Sequence, residues 1–371
     1  MDLKGKRIGL VSPGGEIRAF FNAGVFQGLV EENCPITRIA GTSGGIMCLL
    51  PYFQSSNPQD FDERMYKMIE RELFSGNPLQ GMIDFFTPKV FRNRLHPDLS
   101  LDVCLDEGFI EKEYLDFNPQ SKKRFSQTDL VVALTAIADK KSIESRRFNV
   151  SPLFLSQDPV MKKKAAQIIK AGASIFSVSD PVTIEGEGED TFFLDGFYSD
   201  NVPVSQMFED RKFAKENEVD VILLINNSNL KNLKSFVDVL MNFRKNFGGV
   251  QRYGLQYKKM LHYIETSIIL SGADHEQVAL TILMNRMIKG RLEESGQKAE
   301  YGKKICLMEN KNKEFTFKPI FLIEPQGEHQ DIELLVDGFD SQSVAKQNYE
   351  LGKASIKELL PKIQKGGIKP F

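Results

Sequence analysis

Gly41-Thr42-Ser43-Gly44-Gly45 is the stretch of this chain best suited to chemistry. A serine hydroxyl becomes a useful nucleophile only when it is held exposed beside a base, and a sharp strand-to-helix turn does that. The apolar run Ile36-Thr37-Arg38-Ile39-Ala40 precedes the serine and Ile46-Met47-Cys48-Leu49-Leu50 follows it. Strand, glycine-flanked serine and helix in that order spell a nucleophile elbow, Gly-x-Ser-x-Gly. The flanking glycines are expected to accept backbone angles that other residues resist. The new helix is expected to aim its N-terminal amides, Gly44 first, at a developing negative charge. Taken alone, the five residues equally describe a glycine-rich loop capping a buried strand.

Two other stretches complete a chemical set. Arg7-Ile8-Gly9-Leu10-Val11 reads as a short buried strand ending at Ser12-Pro13-Gly14-Gly15. Apolar residues from Ala19 to Val30 then recur at helical spacing. A glycine loop between strand and helix can hold phosphate or offer N–H groups to an oxyanion. Neither a Walker pattern nor a spaced Gly-x-Gly-x-x-Gly is present, which weakens the nucleotide reading. The third stretch is the strand Thr191-Phe192-Phe193-Leu194, ending at Asp195-Gly196. An acid there can face a serine at the end of another parallel strand, since sites in open α/β sheets gather along the carboxyl edge. Asp200 is a rival acid, expected to serve at the surface.

The elements that must position these residues alternate strand and helix, which argues for a parallel sheet covered by helices. Residues 129–138 and 219–226 are buried strands, 161–171 a helix, and 305–308 and 315–324 late strands. A terminal helix spans 341–360. Residues 60–74 have helical periodicity. The apolar run 81–91 reads as a core connector, with a lid or acyl-chain wall as the functional alternative. Ser121-Lys122-Lys123-Arg124 reads as a solvated basic loop. Residues 236–270 read as one or two helices, apolar on one side and basic on the other. Such a helix packs on a core or lies on an anionic membrane surface.

The 371 residues include 48 Lys+Arg and 50 Asp+Glu, a net charge of −2, so no global field draws the chain to nucleic acid. The four cysteines are scattered without metal-ligand spacing and suit reduced thiols in the cytoplasm. No secretory leader or membrane-spanning run is read in the sequence. No internal repeat or low-complexity linker divides the chain. The expectation is one domain over 1–371, with a catalytic core over 5–226 and a mostly helical C-terminal elaboration over 227–371.

Gly14-Gly15-Glu16-Ile17-Arg18-Ala19, followed by Ala23-Gly24-Val25 and then Gly41-Thr42-Ser43-Gly44-Gly45, resembles the N-terminal half of a patatin-like phospholipase. The match extends to Asp195-Gly196 with Asn201 and Pro203, against a family pattern of Asp-Gly-Gly/Ala and then Asn-x-Pro. Three departures stand out: Glu16 and Ala19 replace glycines, and Phe197 replaces a small residue. The resemblance implies a three-layer α/β/α sandwich with a mainly parallel central sheet. It implies a Ser43–Asp195 dyad and an oxyanion hole from Gly14, Gly15 and the Gly44 N–H. Arg18 would brace the loop or meet a phosphate. No metal or organic cofactor is implied.

The leading expectation is therefore a lipid acyl hydrolase acting on phospholipid, lysophospholipid or another lipid ester. It would be cytoplasmic with transient contact at a membrane surface; need for a protein or small-molecule activator stays open. Two alternatives remain. A Ser-His-Asp α/β-hydrolase shares the elbow and would draw its base from His262, His275 or His329, but too little chain precedes the elbow for that fold's usual strands. A catalytically silent module binding lipid or a partner is favoured by Glu16 and Phe197 and opposed by the presence of both Ser43 and Asp195.

Overall fold

The computed structural model describes residues 3–15, 18–71, 119–138, 142–174, 181–188, 190–208, 219–227, 279–283, 285–298, 304–306, 314–325 and 341–370. The apolar run 81–91, the segment 236–270, Glu16, Cys104 and all four histidines lie outside these residues.

Seven strands make the central sheet. They are β1 (Ile8–Ser12), β2 (Ile36–Gly41), β3 (Asp129–Ala138), β4 (Ser142–Asn149), β5 (Thr191–Asp195), β6 (Val221–Ile225) and β9 (Ile320–Ile323). The order is β4-β3-β2-β1-β6-β9, with β5 also paired to β3. From β3 to β9 the neighbours run parallel, which accounts for their nearly continuous apolar sequences. A small antiparallel pair, β7 (Lys304–Cys306) and β8 (Glu314–Thr316), stands apart.

Both faces of the sheet are covered, and alternation along each strand decides which side chain goes where. Ile8, Leu10, Ile39, Leu130, Val132, Leu134, Val221, Leu223 and Ile225 enter the larger core. Helices α1 (Ala19–Glu31), α4 (Pro58–Arg71), α7 (Pro159–Gly172) and α8 (Ser341–Gln364) cover that face. Val11, Ala40, Val131, Ile222 and Leu224 point the other way, against Val202, Val204, Met207 and Val219. Two shorter helices, α2 (Gly44–Met47) and α6 (Ser151–Leu155), follow strand ends, and α3 (Leu50–Gln54) follows α2. Together these features make the mixed α/β architecture expected from the sequence, with helices flanking a mostly parallel sheet.

The structure corrects three local expectations. β5 runs antiparallel to β3, not parallel to its neighbours. β4 was not anticipated, because Ser-Ile-Glu-Ser-Arg-Arg-Phe-Asn carries too many charges for a buried strand; it is an edge strand whose partners reward Ser145 and Arg147 individually. The basic run 121–124 is no solvated loop but the middle of helix α5 (Pro119–Gln127), with Ser121 and Arg124 buried. Arg124 lies 4.1 Å over the Tyr52 ring and donates to the Tyr52 carbonyl. The cation is thus held by an aromatic face and a backbone acceptor.

The helix that follows the first glycine loop is clamped by the C-terminal helix. A Cβ on Gly24 would stand 1.9 Å from the Tyr349 carbonyl oxygen, and one on Gly352 would stand 2.2 Å from that of Phe21. Backbone meets backbone at this crossing, so only glycine fits. Beside it, Tyr349 and Lys353 both donate to Asp62 Oδ1 on α4, at 2.7 and 2.9 Å. Gly24→Ala is expected to cost about 2 kcal/mol or more by overpacking. The thermal midpoint should fall by several degrees relative to wild type.

Candidate active site

The serine turn is built by contact with the end of β1. A Cβ on Gly41 would meet the Ser12 carbonyl oxygen at 2.4 Å, and one on Gly45 would meet those of Pro13 and Ser12 at 2.3 and 2.4 Å. The elbow's glycines are therefore required for close approach. Neither of them has a positive φ; the residue bent into the unusual region is Ser43 itself, at φ 53° and ψ −138°. A non-glycine residue held there is strained and persists only where its surroundings enforce it. The helix after it, α2, is a single turn. Any help to a negative charge therefore comes from the Gly44 N–H as a hydrogen-bond donor, with little from a helix dipole.

Asp195 is delivered by β5 to the same place from the opposite direction. β4 pairs along one edge of β3 from Val131 to Ala138, leaving the other edge to β2 and β5 in turn. β2 ends with Gly41 opposite Val132, and β5, running the other way, ends with Asp195 opposite Leu134. The two strands thus meet end to end on one edge, their last register partners separated by about 7 Å of β3. Gly196 makes the junction possible. A Cβ there would stand 2.2 Å from the Ala133 carbonyl oxygen, the residue between the two registers.

Asp195 is buried and fixed on all sides by its backbone and one oxygen. Its N–H donates to the Ser174 carbonyl at 2.9 Å, and its own carbonyl accepts from Thr135 Oγ1 at 2.8 Å. Oδ1 accepts the Phe197 N–H at 2.9 Å, which caps the 3-10 turn Gly196–Tyr198. Phe197 meets this need with its backbone, so its large side chain does not disturb the turn's hydrogen bonding.

Asp200 does not sit at the surface. Its side chain is 2 % exposed and pairs with Arg147 Nε of β4 at 2.7 Å. The Asp200 carbonyl accepts from Thr42 Oγ1 at 3.0 Å, tying the loop after Asp195 to the serine turn. The next residue, Asn201, ties the same loop to the first glycine loop: its Oδ1 accepts the Gly14 N–H at 3.0 Å. A Cβ on Gly14 would lie 2.8 Å from Ser43 Cβ, so this loop is packed against the serine. Gly14, Gly15, Ser43 and Gly44 are thereby gathered with the Asp195 loop. Among the described residues, no hydrogen-bond acceptor takes the N–H of Gly15 or Gly44. Arg18 Nε reaches the Gly15 carbonyl at 3.4 Å, a brace on the loop.

Asn22, Asn201 and Asn227 were not singled out by sequence reasoning, apart from Asn201 as a motif letter. An asparagine inside an apolar helix such as α1 was the available signal. Cys48, one turn beyond the serine, is buried, and burial pushes its thiol up to about 12, so it is no rival nucleophile at neutral pH. Among the described residues, no group of three His, Cys, Asp or Glu is arranged to hold a metal ion. Nor is any helix among them long and apolar enough to cross a membrane.

A glycine-braced serine on a strained strand-end turn and a buried acid at the neighbouring strand end thus adjoin on one edge of β3 in an α/β sheet. Residues 10–208 match the family model described as patatin-like phospholipase, more than half of the chain, and the protein belongs to that family. The family supports lipid hydrolysis of the phospholipase type. A comparison with curated protein sequences finds no match. Among solved structures, VipD from Legionella pneumophila is similar at 12 % identity and TM-score 0.37, over 96 % of this chain and 67 % of that one. Human GIVD cytosolic phospholipase A2 is similar at 11 % identity and TM-score 0.35, over 66 % of this chain and 46 % of that one. ExoU of the ExoU–SpcU complex from Pseudomonas aeruginosa gives 14 % identity and TM-score 0.27, over 98 % and 78 %.

Proposed function

We propose that the protein hydrolyses the acyl ester of a phospholipid or related lipid through a Ser43–Asp195 dyad. The observation that carries this reading is the end-to-end meeting of β2 and β5 on one edge of β3, which brings the strained serine turn and the buried acid together. Ser43 Oγ attacks the ester carbonyl carbon while its proton passes to the Asp195 carboxylate. Because Oδ1 already accepts the Phe197 N–H, we assign the proton to Oδ2. The carbonyl oxygen becomes an oxyanion in a hole lined by Gly14, Gly15 and Gly44. The Gly15 and Gly44 N–H groups bond it directly; Gly14, bonded to Asn201, shapes the loop. The tetrahedral adduct collapses, the alcohol leaves with a proton from Asp195, and water then cleaves the acyl-serine with Asp195 again as base.

No step needs a metal, an organic cofactor or an imidazole. The substrate is presented at a lipid surface, and contact with it is transient and peripheral. The dyad is separated from a serine-histidine-acid triad by replacing His96, His262, His275 and His329 one at a time with glutamine and measuring ester turnover. Each folded variant is expected to stay within about tenfold of wild type. A drop beyond about a thousandfold in a variant with normal melting, the scale of a lost general base, would assign the proton transfer to that histidine instead.

A further inference from the structure

Two consecutive carbonyls of the first glycine loop are turned the same way. Asn22 Nδ2 donates to the Pro13 carbonyl at 2.7 Å, and Asn227 Nδ2 donates to the Gly14 carbonyl at 3.2 Å. In an extended strand successive carbonyls point to opposite sides. Here two side-chain amides hold both on one side. A trans peptide points its C=O and N–H in opposite directions within one plane. Pinning the Pro13 carbonyl therefore aims the Gly14 N–H away from Asn22, and it is found on Asn201 Oδ1 next to Ser43. Pinning the Gly14 carbonyl aims the Gly15 N–H away from Asn227 in the same manner. The Gly14 N–H is taken by Asn201, which leaves the Gly15 N–H as the loop's donor for an anion beside Ser43.

The two asparagines are part of one buried chain of donors. Asn227, just past the end of β6, donates to Asn22 Oδ1 at 3.1 Å. Asn22, on α1, donates to Ser12 Oγ at 3.1 Å, and Ser12 Oγ donates to the Gly45 carbonyl at 2.7 Å. The chain joins three elements to the serine turn, and its members are essentially sealed from solvent. Burying amides costs stability unless each finds its partners. These partners are the backbone groups whose direction decides where the loop's N–H groups point.

We infer that Asn227 is a positioning residue for acyl transfer: its amide pins the Gly14 carbonyl and so aims the Gly15 N–H at the oxyanion beside Ser43. The inference rests on Ser43 being the nucleophile. The contribution of Asn227 is felt when negative charge develops on the substrate oxygen, not when the lipid binds. It therefore predicts a fall in kcat with little change in KM.

The test uses the full chain as wild type, Ser43→Ala, Asn227→Leu and Asn227→Asp. A fluorophosphonate probe reports serine reactivity, ester hydrolysis gives kcat and KM, and thermal melting reports folding. Leucine removes the donor at similar volume; aspartate keeps the shape but sets an acceptor against the Gly14 carbonyl. Both variants are expected to lose about a hundredfold in kcat and in labelling rate, the scale of one oxyanion donor, with KM held within about threefold. Wild-type labelling at Ser43 with unchanged labelling of folded Asn227→Leu overturns the inference and leaves the hydrolase reading intact. A rise in KM at constant kcat also overturns it, as does failure of both variants to melt cooperatively, which would make Asn227 structural only. Absence of Ser43-dependent labelling in wild type overturns the hydrolase reading and this inference together.

Discussion

Ser43→Ala and Asp195→Asn are each expected to lower lipid-ester hydrolysis by a thousandfold or more while leaving the protein folded. Both changes are conservative for the structure. No side-chain cap bond of Ser43 supports α2, and alanine inherits the same strained backbone without adding bulk. Asparagine in place of Asp195 keeps an oxygen for the Phe197 N–H, so the turn survives, but the side chain can no longer accept a proton. Because nucleophile and base act in one step, the double variant should be little slower than either single one. Turnover of a fluorogenic lipid ester and a melting curve for each variant are sufficient. An Asp195→Asn protein that turns over within tenfold of wild type would remove Asp195 from the mechanism.

Gly196→Ala is expected to have the next largest effect, through geometry alone. The added methyl would overlap the Ala133 carbonyl, which belongs to the central strand of the site and cannot swing aside as a side-chain tip could. Relief requires β5 to withdraw from β3, carrying Asp195 with it. Overpacking of this kind costs ~1–3 kcal/mol or more in stability. A displacement of about 1 Å at the acid can cost a further hundredfold in rate. Gly290→Ala is the matched control, since nothing lies within 4 Å of its added methyl. The control should melt and turn over like wild type; equal losses in both variants would show that the contact at Ala133 does not matter.

What could be read from the sequence follows a physical division. Strands buried on both faces, such as Asp129–Ala138 and Val221–Ile225, declare themselves as largely apolar runs. Strand direction leaves no such trace. Thr191–Asp195 reads the same whichever way it pairs, so its antiparallel course beside β3 had to come from the structure. Residues whose value lies in one partner were also hidden. Arg147 looks like surface charge until Asp200 is seen beneath it, and Arg124 looks like part of a solvated basic run until Tyr52 is beside it. The glycines of the serine motif were read as conformational relief, yet their function is to let two chain segments touch. The family resemblance supplied the candidate pair, and the pairing register supplies the reason the pair can meet.

The seam between α1 and α8 also sets an order of events in time. Tyr349 and Asp62 are 287 positions apart, yet their bond lies beside the crossing that holds the helix leading out of the first glycine loop. Closing a loop of that length opposes folding by on the order of 5 kcal/mol, before its contacts return anything. A nascent chain that has exposed the serine and the acid still lacks the helix that seats α1. Contacts of such long range slow folding and leave partly folded chains exposed to aggregation. The seam that seats α1 can therefore close only after residues 341–364 have left the ribosome.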